Sequence, residues 1–478
     1  MKKLTTILIV FLGFGFYSYS QNAQDALRFS QHYYGSTARS LSLSGAFGSL
    51  GGDFSSLSIN PAGMGVYRKS EFTFTPSFGY NTALSTFNTA KLEDFNYDLG
   101  IGNIGLIGSF STERDNGWKS FNIGFGYNKL NDFERVTAIK TIDANSSMLD
   151  QFENDINNGL EPTGTNLAIR SGLIYLMNEN SNIWMSDITG TDYGQTLRHS
   201  VEENGYIGEY LFSAGANYED MIYLGGSLGI SSVRYNQITT HEEIDVEDNI
   251  LQLNNFSYQQ DLEISGSGVN FKAGVILKPV NWLRLGAAIH SPTFYNFHDT
   301  YSAAMESDLD SFSFEPQSAS SEYDYELYTP PKFIGSASII LGKVALITAD
   351  YERIDYSKAK LRGGGDGYTF AAENEGIQWI YDVSNNYRLG TEFRFGAISL
   401  RAGYAYFDSP YKSGELNQDA DYQAISGGFG INNNSFYIDF GYSHYFGTEE
   451  YVLYQTPAAI ASTDFVNNKL LCTVGFRF

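Results

Sequence analysis

From Ser70 to Phe478 the chain alternates apolar and polar positions with the period of a β-strand. In SEFTFTPSFGY, Phe72, Phe74, Phe78 and Tyr80 share one parity. Phe121, Ile123, Phe125 and Tyr127 alternate with Asn122, Gly124, Gly126 and Asn128. Val269, Phe271, Ala273 and Val275 face away from Asn270 and Lys272, and Leu470, Cys472, Val474, Phe476 and Phe478 end the chain on one face. Fourteen such segments are predicted, near 68–80, 99–112, 117–130, 205–218, 220–235, 264–278, 281–294, 325–341, 343–356, 383–396, 397–408, 420–432, 435–447 and 466–478. Their connections alternate, with 81–98, 131–204 and 236–263 long and 113–116, 219 and 279–280 short. An even strand number with short turns at one end and long loops at the other is the pattern of an outer-membrane barrel. Closure pairs every backbone donor and acceptor within the lipid. The expectation is an all-β, 14-stranded antiparallel transmembrane β-barrel. A soluble β-sandwich or propeller would also alternate, but it would not place the long loops at one end only.

The stretch Ala38–Tyr67 breaks this pattern. Its only charges are Arg39 and Asp53, and Gly45, Gly48, Gly51, Gly52, Gly63 and Gly65 interrupt it too often for a long helix or a regular strand. It is too apolar for a solvated linker and too broken to build its own core. It therefore reads as a plug held inside the barrel, entering from the short-turn end.

Composition narrows the picture. Lys2 and Lys3, the apolar run Leu4–Tyr17 and the small-residue site Ser18-Tyr19-Ser20 read as a secretory signal peptide over 1–20, with no Cys behind it for a lipid anchor. The expected division is 1–20 leader, 21–67 hatch and 68–478 barrel. With 35 Tyr, 35 Phe and 49 Gly and only 18% charged residues, the chain suits β-structure in an outer membrane better than a soluble enzyme. The formal net charge is −24, about −26 without Lys2 and Lys3, so nucleic acid is not an expected partner. Cys472 is the sole cysteine, which leaves no intrachain disulfide and no Cys-based metal site. The six histidines show no i, i+4 pair and no HExxH, and Gly363-Gly364-Gly365 lacks the Lys of a phosphate loop. No enzyme, cofactor or metal centre is expected; His290 beside Ser291 is read as a strand-end interface residue rather than part of a phospholipase.

The plug, the strand count and the terminal Phe478 together resemble the FadL-type family of long-chain fatty acid and hydrophobic compound transporters, in its Bacteroidetes-type form. The residues that carry the resemblance are Ala38-Arg39, Gly45-Ala46 and Asn60-Pro61-Ala62-Gly63. Further along they are Gly268–Gly274, Lys278-Pro279, Trp282-Leu283-Arg284, His290-Ser291-Pro292, Arg388-Leu389-Gly390 and Leu400–Gly403. The resemblance implies passive transport in the outer membrane of a Gram-negative bacterium. Hydrophobic substrate is caught outside, held against the hatch and released sideways through a gap in the wall. Implied partners are a fatty acid or other hydrophobic small molecule, outer-membrane lipids with lipopolysaccharide, and the barrel assembly machinery through Phe478, the protein acting as a monomer.

Apolar walls alone suit such a ligand, since each buried methylene is worth about 0.8 kcal/mol. Candidate substrate-binding residues are Phe47, Leu50, Phe54, Leu57 and Met64 in the hatch and Arg284, Arg388 and Arg401 on the inner wall. For most of the arginines the favoured reading is a structural ladder with Glu392 and Asp350 across neighbouring strands. Asn60, Pro61 and Ala62 form the hatch motif, with Asn before Pro favouring a turn. In the largest insertion, 131–204, helices are expected near Ser146–Asn158 and Asn166–Asn178. Leu167, Ile169, Leu173, Ile174, Leu176, Met177, Ile183, Trp184 and Met185 are either an outer capture surface or that loop's own core. Competing functions are a general diffusion porin, against which the plug argues, and an adhesive or structural surface protein working through its acidic loops.

Overall fold

A computed structural model describes residues 23–112, 116–178, 181–188, 193–310, 313–364 and 367–478. The predicted leader, 1–20, lies outside the described residues. Fourteen strands form one closed antiparallel sheet: β1 (Glu71–Phe87), β2 (Ala90–Ser111), β3 (Trp118–Asp132), β4 (Thr196–Tyr218), β5 (Ile222–Ile244) and β6 (Leu253–Val280). They continue with β7 (Leu283–His290, resumed as Phe294–Leu309), β8 (Ser313–Tyr328, resumed as Lys332–Leu341), β9 (Ala345–Asp355) and β10 (Val383–Phe395). The last four are β11 (Ile398–Phe407), β12 (Tyr422–Asn432), β13 (Phe436–Tyr454) and β14 (Ala459–Arg477). Pairing of β1 with β14, from Glu71↔Arg477 to Thr86↔Ser462, closes the barrel. β7 and β8 are both interrupted at the same height, where Ser291-Pro292-Thr293 faces Thr329-Pro330-Pro331. Proline removes ladder donors there, and Thr329 N–H donating to Thr293 O at 3.1 Å holds the two breaks together.

The alternation predicted from sequence becomes an outer belt. Leu99 is 81%, Phe271 60% and Phe125 50% exposed, a surface that water would not tolerate and hydrocarbon would. Tyr80, Tyr97, Tyr210, Tyr351, Tyr387 and Tyr404 edge the belt toward the loops, and Trp282 edges it in a short turn, as aromatic girdles do. The tight turn at Glu219-Asp220 has positive φ at both residues, 54° and 57°, which matches the twist of the β4–β5 hairpin.

The predicted long loops are the main difference. Residues 81–98 are paired strand, from Asn81↔Asn96 to Phe87↔Ala90, with a two-residue turn. Most of 236–263 and of 295–324 is also ladder. Above the belt the outer face meets water and the inner face is mixed, with Phe87, Tyr235, Phe256 and Phe297 buried among polar neighbours, so the regular apolar period set by lipid disappears although the hydrogen bonding continues. The result is a tall crown built from β1, β2, β4–β8, β13 and β14. The 131–204 insertion extends the wall by a short strand, Arg135–Thr141, on β4. It then folds into the crown as α-helices Met148–Asn157 and Thr163–Arg170, the second starting and ending earlier than expected. Leu149, Phe152, Leu167, Leu173 and Ile174 pack there against Phe256, Met305 and Tyr454.

The N-terminal segment lies in the lumen as short helices, α1 (Ala23–Arg28), α2 (Ala38–Ser42) and α3 (Ser56–Ile59), followed by a 3-10 turn at Pro61–Val66. Its direction differs from the expectation of entry from the short-turn end. Ala26, Leu27 and Phe29 pack at the loop end against Tyr235, Phe297, Phe370 and Ile377, and the segment then descends. The reason is tertiary: the aromatic inner face of the crown, with Phe29 tilted 4.7 Å from Phe297, offers that helix an apolar surface.

Candidate functional site

The hatch is fixed to the barrel by inward side chains from most of its circumference. Ala38 N–H donates to Thr473 Oγ1 on β14 at 2.8 Å, and Ser44 N–H to Ser426 Oγ on β12 at 3.0 Å. Phe47 and Gly48 N–H both donate to Asp350 Oδ2 on β9, at 2.9 and 2.8 Å. Asn122 Nδ2 on β3 donates to Met64 O at 2.7 Å, and Lys332 Nζ on β8 to Ser30 O at 3.0 Å. A segment with little regular structure must satisfy its backbone from outside itself, and these wall residues do so.

The Asn60-Pro61-Ala62 motif lies at the start of a capped 3-10 turn. Asn60 Oδ1 accepts from Ala62 N–H at 3.1 Å and caps the Pro61–Val66 turn, while its Nδ2 donates to Gly48 O at 2.6 Å and to Val275 O at 3.2 Å. Pro61 opens the turn, where its missing N–H costs nothing, and Ala62 packs on Tyr223 and Ile276. This close approach requires Gly225 and Gly274: a Cβ on either would meet Pro61 O at 2.1 Å or Asn60 Oδ1 at 1.9 Å.

The apolar candidates do not line one open pocket. Phe47 and Leu50 are buried with Tyr34, Leu43, Ile59, Ala288, Ile334 and Leu346. Phe54, Leu57 and Met64 form a second cluster with Tyr67, Ile107 and Leu211. The void beside Gln31, His32 and Tyr33 holds about 20 Å³, room for a water. The arginines divide. Arg401 pairs with Glu392 at 2.7 Å and Asp439 at 2.6 Å, and Arg388 with Glu352 at 3.0 Å, both in the manner of a ladder. Arg388 also stands 4.8 Å over the Tyr34 ring. Arg284 instead donates to the hatch carbonyl of Leu50 at 2.5 Å. His290, expected as a strand-end interface residue, is buried and bonds Ile59 O at 2.8 Å; it sits directly across the ladder from the equally buried Lys272. Among residues that sequence reading left without a hatch role, Asp350 and Glu392 have the inward parity of their strands, which is the signal that would have found them.

At the level of the belt, among the described residues, the wall carries an unpaired seam between β2 and β3. β2 pairs with β3 from Asn103↔Asn128 down to Ser111↔Ser120 and no higher. Above that point Ala90–Ile101 pairs with β1 alone, while Lys129–Asp132 and Arg135–Thr141 pair with β4 alone. Its lower end lies beside Leu99 and Ile101, within the apolar belt, and it rises past Tyr97 at the belt's edge into the crown. The hatch reaches its lower end, since a Cβ on Gly102 would lie 2.6 Å from Ser36 O. Polar groups span it: Lys129 Nζ to Asp98 at 3.4 Å and Asp132 at 2.6 Å, and Asn81 Nδ2 to Glu134 O at 2.8 Å.

The fold is that of the FadL-type channels. Over 94% of this chain and all of the other, a Pseudomonas aeruginosa FadL homologue matches with TM-score 0.58 at 12% identity. The P. putida toluene transporter TodX matches with TM-score 0.55 at 11% identity, over 94% of this chain and 99% of its own. The CymD monoaromatic hydrocarbon channel matches at 0.51 and 13%, over 92% and 97%. At these identities the likeness is one of fold. No family model matches the chain, and no curated protein matches it in sequence. The FadL-type architecture predicted from the plug, the strand count and the hatch motif is thus found in three dimensions.

Proposed function

We propose that this protein is a passive outer-membrane transporter of hydrophobic molecules, with long-chain fatty acids as the expected substrates. The observation that carries the reading is the pairing of a filled lumen with a seam in the wall at the level of the lipid. A polar solute gains nothing from a side exit into hydrocarbon, whereas an apolar one gains about 0.8 kcal/mol for each methylene it keeps out of water. The solved channels of this fold are named for toluene and monoaromatic hydrocarbons, which supports a hydrophobic cargo. Capture falls to the crown. The 131–204 insertion buries Leu167, Leu173 and Ile174 yet exposes Leu176 (40%), Met177 (58%) and Ile183 (57%) on a small hairpin, Tyr175–Leu176 with Trp184–Met185. The insertion is therefore half core and half surface. No catalytic step, cofactor or energy source enters this route, and the inner-wall arginines stabilise the hatch rather than hold a head group.

The test is complementation. A strain lacking the gene is supplied with the wild-type chain and given labelled long-chain fatty acid and labelled toluene. Restored uptake of either supports the reading, and the preferred label names the substrate class. Uptake of neither, with no lipid in the purified protein by mass spectrometry, sinks it. The porin alternative makes the opposite prediction, a large steady conductance with the hatch in place.

A further inference from the structure

Beside the seam lies a cluster that the transport reading does not use. Asp98 on β2, Asp132 at the end of β3 and Glu134 just beyond it bring one carboxylate oxygen each within 4.8 Å of one another. They are brought together from the two strand edges that no ladder joins. A second observation points to a ligand. Asn81 on β1 is only 7% exposed, and its Nδ2 donates to Glu134 O, which anchors the carboxamide at the cluster. Its Oδ1 is buried without a donor, as are Oδ1 of Asn96, directly across the β1–β2 ladder, and Oδ1 of Asp132. Buried acceptors are rarely left without partners. Here two are carboxamide oxygens and the third belongs to Asp132, itself one of the three carboxylates.

We propose that this cluster is a hard divalent cation site, of the calcium or magnesium class, that bridges the seam. Carboxylate and carboxamide oxygens without nitrogen or sulfur are the donor set of such ions. Lys129 and Lys469 already face Asp132, at 2.6 and 3.8 Å, but two ammonium groups against three carboxylates leave negative charge in excess. An ammonium also cannot meet several oxygens at once as a 6- to 8-coordinate ion does. Bound there, the ion ties the free edge of β2 to the β3 end and so replaces the missing ladder.

Calorimetric titration of CaCl₂ into the purified full chain in detergent tests the proposal. One saturable site with a dissociation constant of about 10⁻⁴–10⁻³ M, the range of extracellular calcium modules, is expected. Asp98→Asn with Glu134→Gln should weaken it at least tenfold, and Lys129→Met should tighten it severalfold by removing a competing cation. Heat-modifiable gel mobility reads whether each variant is folded. Absence of saturable binding, or binding that the double variant retains, overturns the proposal, since the acidic loops then account for the calcium. If the double variant does not fold, Lys129→Met decides alone, and an unchanged affinity overturns the site.

Discussion

Arg39 of the hatch pairs with Glu392 on the inner face of β10, at 2.9 Å, and Glu392 is fully buried. Arg394 and Arg401 reach the same carboxylate, at 2.6 and 2.7 Å. The two partners are therefore not equivalent. Arg39→Ala leaves Glu392 with two cations and should cost about 1 kcal/mol, whereas Glu392→Ala strands Arg39, leaves Arg401 with Asp439 alone and should cost about 3–5 kcal/mol. Urea unfolding followed by gel mobility should rank the variants in that order, with only Glu392→Ala exposing the hatch to protease.

The fit of the hatch motif against β6 makes a sharper test. Gly274→Ala places a Cβ on Asn60 Oδ1, so the turn at Pro61–Val66 must shift or leave. Asn60→Ala alone loses the cap and the bond to Gly48 O, at a cost of about 1–2 kcal/mol. The double variant should be better folded than Gly274→Ala alone, because the clash is with the Asn60 side chain. Protease cutting within residues 38–67 is the readout, and simple additivity of the two changes would count against the packing described.

Removal of the hatch should turn the barrel into an open pore. Deleting residues 23–66 takes out both apolar clusters that fill the lumen. In planar bilayers the full chain should show no steady conductance and the deletion variant a large one.

The crown should loosen in acid. His199 Nε2 lies 3.1 Å from the Tyr451 hydroxyl, the two Nδ1 atoms of His199 and His241 are 3.2 Å apart, and His241 Nε2 is 2.9 Å from Glu243. One proton per link satisfies this chain, and a further proton sets two N–H groups against each other. Glu243 also accepts from Ser147 Oγ and Met148 N–H, which start the helix Met148–Asn157. Burial, and then the neighbouring His241, hold His199 well below the ordinary histidine range. The stability this contributes is complete above the unfolded value of about 6.5 and declines as pH falls below it. Hydrogen exchange of residues 144–174 should rise between pH 7 and 5, and His199→Phe should flatten that dependence.

Exposed and buried parts of the insertion should separate capture from folding. Leu176→Ser with Met177→Ser and Ile183→Ser removes exposed apolar surface, so uptake should slow several-fold with unchanged stability. Leu173→Ala opens a cavity in the crown and should cost about 2–5 kcal/mol, seen in the unfolding midpoint.

Much of this protein was legible in its residues because a barrel wall has two solvents. Wherever lipid lies outside and the lumen inside, as along Phe72–Phe78 or Phe436–Tyr442, alternation alone sets strand, face and neighbour, and fourteen such runs set closure. The low charge and frequent glycines of Ala38–Tyr67 likewise required a container, and Asn60-Pro61 required a turn. What alternation could not reach is whatever depends on proximity in three dimensions. The crown strands lost their signal above the lipid, where the outer face is wet and the inner face mixes polar with apolar residues. The roles of Asp350, Glu392 and His290 depend on which hatch atom each one meets. The seam arises because β3 leaves β2 at Asn128 while hydrogen bonding to β4 continues, and the Asp98–Asp132–Glu134 cluster exists only because two strand edges that do not pair lie side by side. Local pattern records the medium each residue faces, and only tertiary structure decides which partners share it.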